Sequence, residues 1–176
     1  MSEAIILLWN PKLNRTENLD EALENLRDGR NFEFGDWSAG ATKNIPIGSR
    51  FFMFRKGIDP KGIFAAGRTT DEPWEEDRNK NWVEIEFTSM LDVESGEKPL
   101  ATEELLDDPI LKDVRWKKLQ NCGKKLNSDQ TRQLEALWKR RLKKYSLEDP
   151  PDGKFSTLAK KAKKAKKASK DKPDKA

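Results

Sequence analysis

The sequence predicts an α+β fold in which a small, curved, barrel-like sheet is flanked by helices. Residues 82 to 87 alternate apolar with polar or acidic side chains, which is typical of a half-buried strand. Residues 134 to 145 instead place their apolar side chains at helical spacing. Strands and helices interleave without the regular rhythm of βαβ units, and this irregularity favours a small curved sheet over a parallel one.

The first elements follow from local signals along the chain. Residues 4 to 9 form a continuous apolar run, which predicts a buried strand. A stripe of three leucines then predicts a helix that begins at Asn18 and ends at Gly29. Residues 30 to 49 contain three glycines and a proline, and this composition predicts a loop.

The next elements are a hairpin and two further helices. Two apolar segments, residues 50 to 55 and residues 62 to 68, flank a turn-like stretch at residues 56 to 61. This arrangement predicts a β-hairpin. Thr102 is predicted to cap a short helix, and Ser128 to precede a longer one.

Charge divides the chain into two parts. Residues 154 to 176 hold ten lysines and two aspartates, and Lys-Lys-Ala repeats with period three from residue 160. The net charge of this segment is larger than the +4 of the whole chain, so the remaining residues are net acidic. We therefore predict a folded domain over residues 1–150 and a disordered basic tail over residues 151–176.

The composition excludes several kinds of catalytic site. The chain contains no histidine, which removes the commonest metal ligand and the commonest general base, and with them hydrolase triads, HNH nucleases and zinc deaminases. Its single cysteine, Cys122, excludes an internal disulfide and a cysteine-rich zinc site. We expect no catalytic activity, no cofactor and no metal. The apolar run at residues 4 to 9 is too short to span a membrane, so we expect a soluble cytoplasmic protein.

The tryptophans are the candidate binding residues. Six occur, at positions 9, 37, 74, 82, 116 and 138. Two tryptophans are predicted to pack in the core. Trp9 ends the first buried strand, and Trp138 lies on the apolar stripe of the last helix. Trp37 and Trp74 fall in predicted loops, where binding sites concentrate. Trp82 falls on the polar face of its strand. Stacking of one nucleobase on such a ring is worth about 1–3 kcal/mol.

The middle of the chain resembles a known family of nucleic-acid readers. The segments that carry the resemblance are residues 37–38, 48–57, 60–68, 72–74 and 81–87. Together they resemble the EVE-like domain of the PUA-like superfamily, which includes the EVE, YTH and SRA readers of modified bases. EVE-like domains are found fused to HNH nucleases in modification-dependent restriction enzymes. No nuclease segment is expected in this chain, so the resemblance does not imply cleavage.

The resemblance implies a non-catalytic module that holds a flipped, methylated base in an aromatic pocket, with DNA favoured over RNA. Trp37 and Ser38 would contact the base, and either Trp74 or Trp82 would form the second wall. Residues of the predicted hairpin would contact phosphates: Arg50, Arg55, Lys56, Lys61 and Arg68. A separate nuclease or effector protein is a further partner that the resemblance suggests.

Four alternatives stay open at the level of the sequence. Trp37 can instead be a core anchor, and the cations of the hairpin can form an ordinary solvated face. The module can bind RNA instead of DNA. It can also be a protein-interaction or regulatory domain that has no base pocket.

Overall fold

A single mixed sheet of eight strands, curled into a half-barrel, forms the centre of the molecule. Our structure is a computed structural model that describes residues 3–13, 18–78, 80–119 and 123–149. Helices flank the sheet, so the predicted α+β class is confirmed. The predicted basic tail, residues 151–176, lies outside the described residues.

The elements alternate irregularly along the chain. The strands are β1 (Ile5–Trp9), β2 (Phe32–Gly40), β3 (Arg50–Arg55), β4 (Gly62–Thr69), β5 (Trp74–Asp77), β6 (Lys80–Met90), β7 (Leu100–Ala101) and β8 (Lys124–Lys125). The helices are α1 (Asn18–Arg27), α2 (Thr102–Asp107) and α3 (Ser128–Lys144). The strand order is β2-β6-β4-β3-β1-β8, with β5 paired to β6 and β7 paired to β4. Only the pairing of β1 with β3 is parallel among the described strands.

Most predicted elements are confirmed, but two segments predicted as loops are strands. Residues 30 to 49 contain β2, and Trp74 begins β5. Glycines lower the strand propensity of β2, yet pairing with β6 supplies hydrogen bonds for its backbone. Gly35 has a φ of +108° and lies where the register shifts beside Glu33, so it occupies a bulge that a glycine tolerates. Tertiary pairing has therefore overridden local propensity.

The starts of the two later helices differ slightly from the prediction. Thr102 is the first residue of α2 and not its cap. Asn127 caps α3: its side chain accepts from the backbone N–H of Gln130 at 2.8 Å, and the Gln130 side chain accepts from the Asn127 N–H at 3.0 Å. This reciprocal pair satisfies two backbone donors that the helix itself leaves unpaired.

The sheet separates two apolar cores. On one face, Val83, Ile85 and Phe87 pack in a cluster with residues of α1. On the other face, Phe52 packs in a cluster that includes Trp138 of α3. Trp138 is 1% exposed, as predicted for a core residue, and its indole N–H donates to the Ser89 hydroxyl at 2.9 Å. The apolar side chains of the central strands therefore divide between the two cores.

We expect the substitution Gly67→Ala to lower the free energy of unfolding by about 3 kcal/mol, measured by urea unfolding. A Cβ at position 67 would lie 1.9 Å from the carbonyl oxygen of Glu86 and 2.8 Å from the Phe51 ring. Strands β4 and β6 would have to separate to admit it.

The matched control is Gly29→Ala, because a Cβ at that position meets nothing within 4 Å. Gly29 has a φ of +80°, so this control measures backbone strain alone, at about 1–2 kcal/mol. A loss for Gly67→Ala no larger than that of the control would contradict the close approach of β4 and β6.

Candidate functional site

Trp37 lies in the core. It is paired with Val83 across β2 and β6, and it is 6% exposed. Its indole N–H donates to the carbonyl oxygen of Leu8 at 3.2 Å, and the Phe34 ring meets it edge-on at 5.3 Å between centroids. Of the two placements considered from the sequence, the structure therefore shows the core anchor. Direct contact between this ring and a base stays a prediction.

Ser38 points to the opposite face of the sheet from Trp37, because successive side chains of a strand alternate. Ser38 is directly across from Trp82, and Trp82 is directly across from Trp74. These three residues form one row on the face that turns away from α1. The two predicted second walls, Trp74 and Trp82, thus lie on the other side of the sheet from Trp37.

Trp74 and Trp82 stack on each other at the surface. Their ring centroids are 6.1 Å apart with an angle of 20° between the planes, and Trp74 is 45% exposed. Because the two rings stack on each other, they leave no gap for a base between them. The indole N–H of Trp74 donates to Asp36 at 3.3 Å, and that of Trp82 donates to Glu76 at 2.9 Å. These two carboxylates disfavour a nearby phosphate.

Arg50, the first predicted phosphate ligand, is buried in an internal ion-pair network. Its guanidinium contacts Glu135 at 2.6 Å and Asp149 at 3.1 Å, and its carbon lies 5.0 Å from the centroid of the Phe52 ring. Burial alone lowers the pKa of Arg50, but the charges of Asp149 and Glu135 outweigh it and raise the pKa above its ordinary value. Arg50 therefore holds α3 and Asp149 against the sheet.

The other predicted phosphate ligands are mostly buried too. Arg55 pairs with Glu94 at 3.0 Å, and Arg68 is 5% exposed. Lys56 donates to the Leu119 carbonyl at 2.9 Å, and Lys61 is the one exposed member of the predicted set. Contact of these residues with phosphates stays a prediction. The alternative of an ordinary solvated face is wrong for the three arginines, which are buried because β3 and β4 are central strands with neighbours on both sides.

An open cavity of 940 Å³ lies beside the loop of residues 43 to 49. Its apolar lining includes Ile5, Ile45 and Ile47. Its polar lining includes the Asn44 amide, and the exposed Lys43 and Lys125 side chains lie at its rim. A concave apolar surface with a few convergent polar groups is the usual form of a small-ligand site.

The loop at the cavity is held in place by Thr69 of β4. The Thr69 hydroxyl donates to the Pro46 carbonyl at 3.0 Å and accepts from the Ser49 N–H at 3.0 Å. The Gly48 N–H donates to the Thr69 carbonyl at 2.8 Å. These bonds fix a loop that would otherwise have few partners, so the cavity is pre-formed.

Sequence reasoning missed this cavity. Its floor joins Ile5 of β1 to Ile45, which are forty positions apart, and no local pattern reports that contact. The sequence contains one signal of it, because Ile47 is an apolar residue between Pro46 and Gly48 in a predicted loop. In the structure Ile47 is 46% exposed. Ile5 and Ile45, which form the floor of the cavity, belong to the same apolar core as Trp37.

Two other kinds of site are absent from the described residues. No group of three or more Cys, Asp or Glu side chains is placed to hold a metal ion there. No described helix is both long and apolar enough to cross a bilayer.

Comparison with known proteins supports the fold. No family model matches the chain, and no curated protein matches its sequence. A structure of human THYN1 in complex with DNA containing 5-methylcytosine is similar, with a TM-score of 0.52 and 14% identity over 77% of this chain and 97% of that chain. A hypothetical protein from Leishmania major is also similar, with a TM-score of 0.52 and 9% identity over 76% and 94% of the two chains. The chain therefore shares with these structures the curled sheet flanked by helices that its sequence predicts.

We expect Arg50→Met to lower the free energy of unfolding by about 3 kcal/mol in urea titrations. The substitution keeps the length of the side chain but leaves Asp149 and Glu135 without their buried partner. The control is Lys61→Met, which removes one exposed charge and should change stability by no more than about 0.5 kcal/mol. Equal effects of the two substitutions would show that the network contributes nothing.

Proposed function

We propose that this protein is a non-catalytic nucleic-acid-binding module that takes one unstacked nucleobase into the cavity beside residues 43 to 49. The observation that carries the proposal is the cavity itself, which is open, pre-formed and partly apolar. The fold adds support, because human THYN1 shares it and its structure contains DNA with 5-methylcytosine.

The size and chemistry of the cavity suit a base that carries a methyl group. Its volume of 940 Å³ is within the usual range of small-ligand sites, about 300–1,000 Å³. The apolar wall formed by Ile45 and Ile47 favours a methyl group over water. The Asn44 amide both donates and accepts hydrogen bonds, so it can pair with the edge of a base. We infer that a methylated base is the preferred ligand, with DNA favoured over RNA.

The phosphate contacts in this proposal come from the rim of the cavity and not from the hairpin arginines. Lys43 and Lys125 are exposed beside the opening. Lys43 lies 3.8 Å from Glu75, but both side chains are largely exposed, so this ion pair is weak and a phosphate can replace it. Lys61 stays a predicted phosphate ligand. A separate nuclease or effector partner also stays a prediction.

We expect Ile47→Asp to weaken binding to a short DNA containing one 5-methylcytosine by at least about tenfold, since a charge replaces the apolar wall. Fluorescence anisotropy of the labelled DNA measures the affinity of the full chain. A salt concentration of about 0.3 M limits the sequence-independent contribution of the basic tail. The unmethylated DNA of the same sequence is the reference ligand.

The control is Ile110→Asp, which introduces the same charge at a similarly exposed isoleucine that does not line the cavity. This variant should bind methylated DNA within about twofold of the unchanged protein. An equal loss in both variants would mean that net charge, and not the cavity, controls binding. An absence of methyl preference in the unchanged protein would exclude a modified-base reader.

Competition with an RNA strand of matched sequence separates the two nucleic acids. We expect the RNA to displace the labelled methylated DNA less readily than unlabelled methylated DNA of the same sequence does. Preferential displacement by RNA would instead identify an RNA-binding module. A failure to bind either strand would leave a protein-interaction domain as the remaining interpretation.

A further inference from the structure

Part of the sheet face that carries α3 is left uncovered by the described elements. We call this part the tryptophan face, and it consists of Asp36, Ser38, Trp74, Glu76, Trp82 and Glu84. These residues share one side of β2, β6 and β5 through the pairs Ser38–Trp82, Asp36–Glu84 and Trp74–Trp82. Trp74 is 45% exposed and stacks on Trp82, so an apolar surface is open to solvent at this strand edge.

The charge around the tryptophan face indicates a cationic partner. Three of the six residues of this face, Asp36, Glu76 and Glu84, are carboxylates, and none is basic. Asp36 and Glu76 accept hydrogen bonds from the edges of the two indoles, so their charges are held beside the rings. A lysine ammonium is attracted both to carboxylates and to the face of an indole ring. A phosphate would be repelled here, and nucleic acid is therefore a poor occupant.

The described chain ends on the same side of the sheet. Its last residue, Asp149, contacts Arg50 at 3.1 Å and Thr88 at 3.0 Å. Along β6, Thr88 is six residues from Trp82, a distance of about 20 Å at the rise of a strand. Lys160 is eleven positions beyond Asp149 in the sequence, and a chain of that length spans at most about 36–40 Å. The lysine-rich segment is thus long enough to reach the tryptophan face.

We propose that the lysine-rich segment, residues 154 to 176, docks on the tryptophan face of its own chain. The segment supplies ten lysines, and its covalent connection to Asp149 raises its local concentration near the tryptophan face. Docking then withholds these lysines from polyanions until one competes them away. This inference is independent of the proposed nucleobase site, because it concerns a different face and a different ligand.

The test compares the indole N–H signals of Trp74 and Trp82 in NMR spectra of two full-length proteins. One is the unchanged chain, and the other has six lysines neutralised: Lys160→Gln, Lys161→Gln, Lys163→Gln, Lys164→Gln, Lys166→Gln and Lys167→Gln. We expect the signals of Trp74 and Trp82 to differ between the two proteins. The signals of the buried Trp116 and Trp138 should not differ. The difference should disappear near 1 M salt, where charges are screened within about 3 Å.

A zero-length carbodiimide cross-link identifies the contacts directly. We expect mass spectrometry to find links from Lys160–Lys167 to Glu76 or Asp36. A mixture of ¹⁴N- and ¹⁵N-labelled protein distinguishes links within one chain from links between chains, and we expect links within single chains. Glu76→Gln should lower the yield of links to the tryptophan face severalfold, whereas Glu103→Gln, an exposed control on α2, should not. Links that join ¹⁴N to ¹⁵N chains would overturn docking within one chain. Unchanged indole signals together with an absence of links would overturn the proposal altogether.

Discussion

The rest of the molecule depends on how strand β6 pairs with its neighbours. It pairs with β2 along one edge and with β5 along the other. Burial of Val83, Ile85 and Phe87 against α1 turns the alternate residues of β6 to the opposite face. The same register carries Trp37 inward and Ser38 outward. A slip of one residue would exchange the two faces, so the hydrophobic pattern of one strand decides which indole is core and which is surface.

Charge is distributed by the same architecture. The central position of β3 and β4 buries Arg50, Arg55 and Arg68, and their guanidinium groups are used inside the molecule. Two of them lie against aromatic rings, at Phe52 and Trp9, where a weakly hydrated planar cation packs better than an ammonium. Their burial removes cationic charge from the surface, so the exposed cations at the cavity are lysines, which lie there with Glu3 and Glu72. The tryptophan face is acidic.

The cavity and the tryptophan face meet at the start of β5. Glu72 and Pro73 line the cavity, and Trp74, the next residue, is exposed on the tryptophan face. Lys43 at the rim lies 3.8 Å from Glu75. The two surfaces thus meet at one short strand.

The sequence by itself determined the α+β class, the apolar strands, the β3–β4 hairpin, and the core position of Trp138, because each has a local pattern of period two or 3.6. It also separated a net acidic body from a basic segment, since charge is a sum over residues. The tertiary structure alone decided that Trp37 is buried, that the hairpin arginines face inward, and that Ile5 and Ile45 meet at a cavity. Those outcomes depend on which strands become neighbours. Pairing between residues forty or more positions apart produces no local sequence pattern from which it can be predicted.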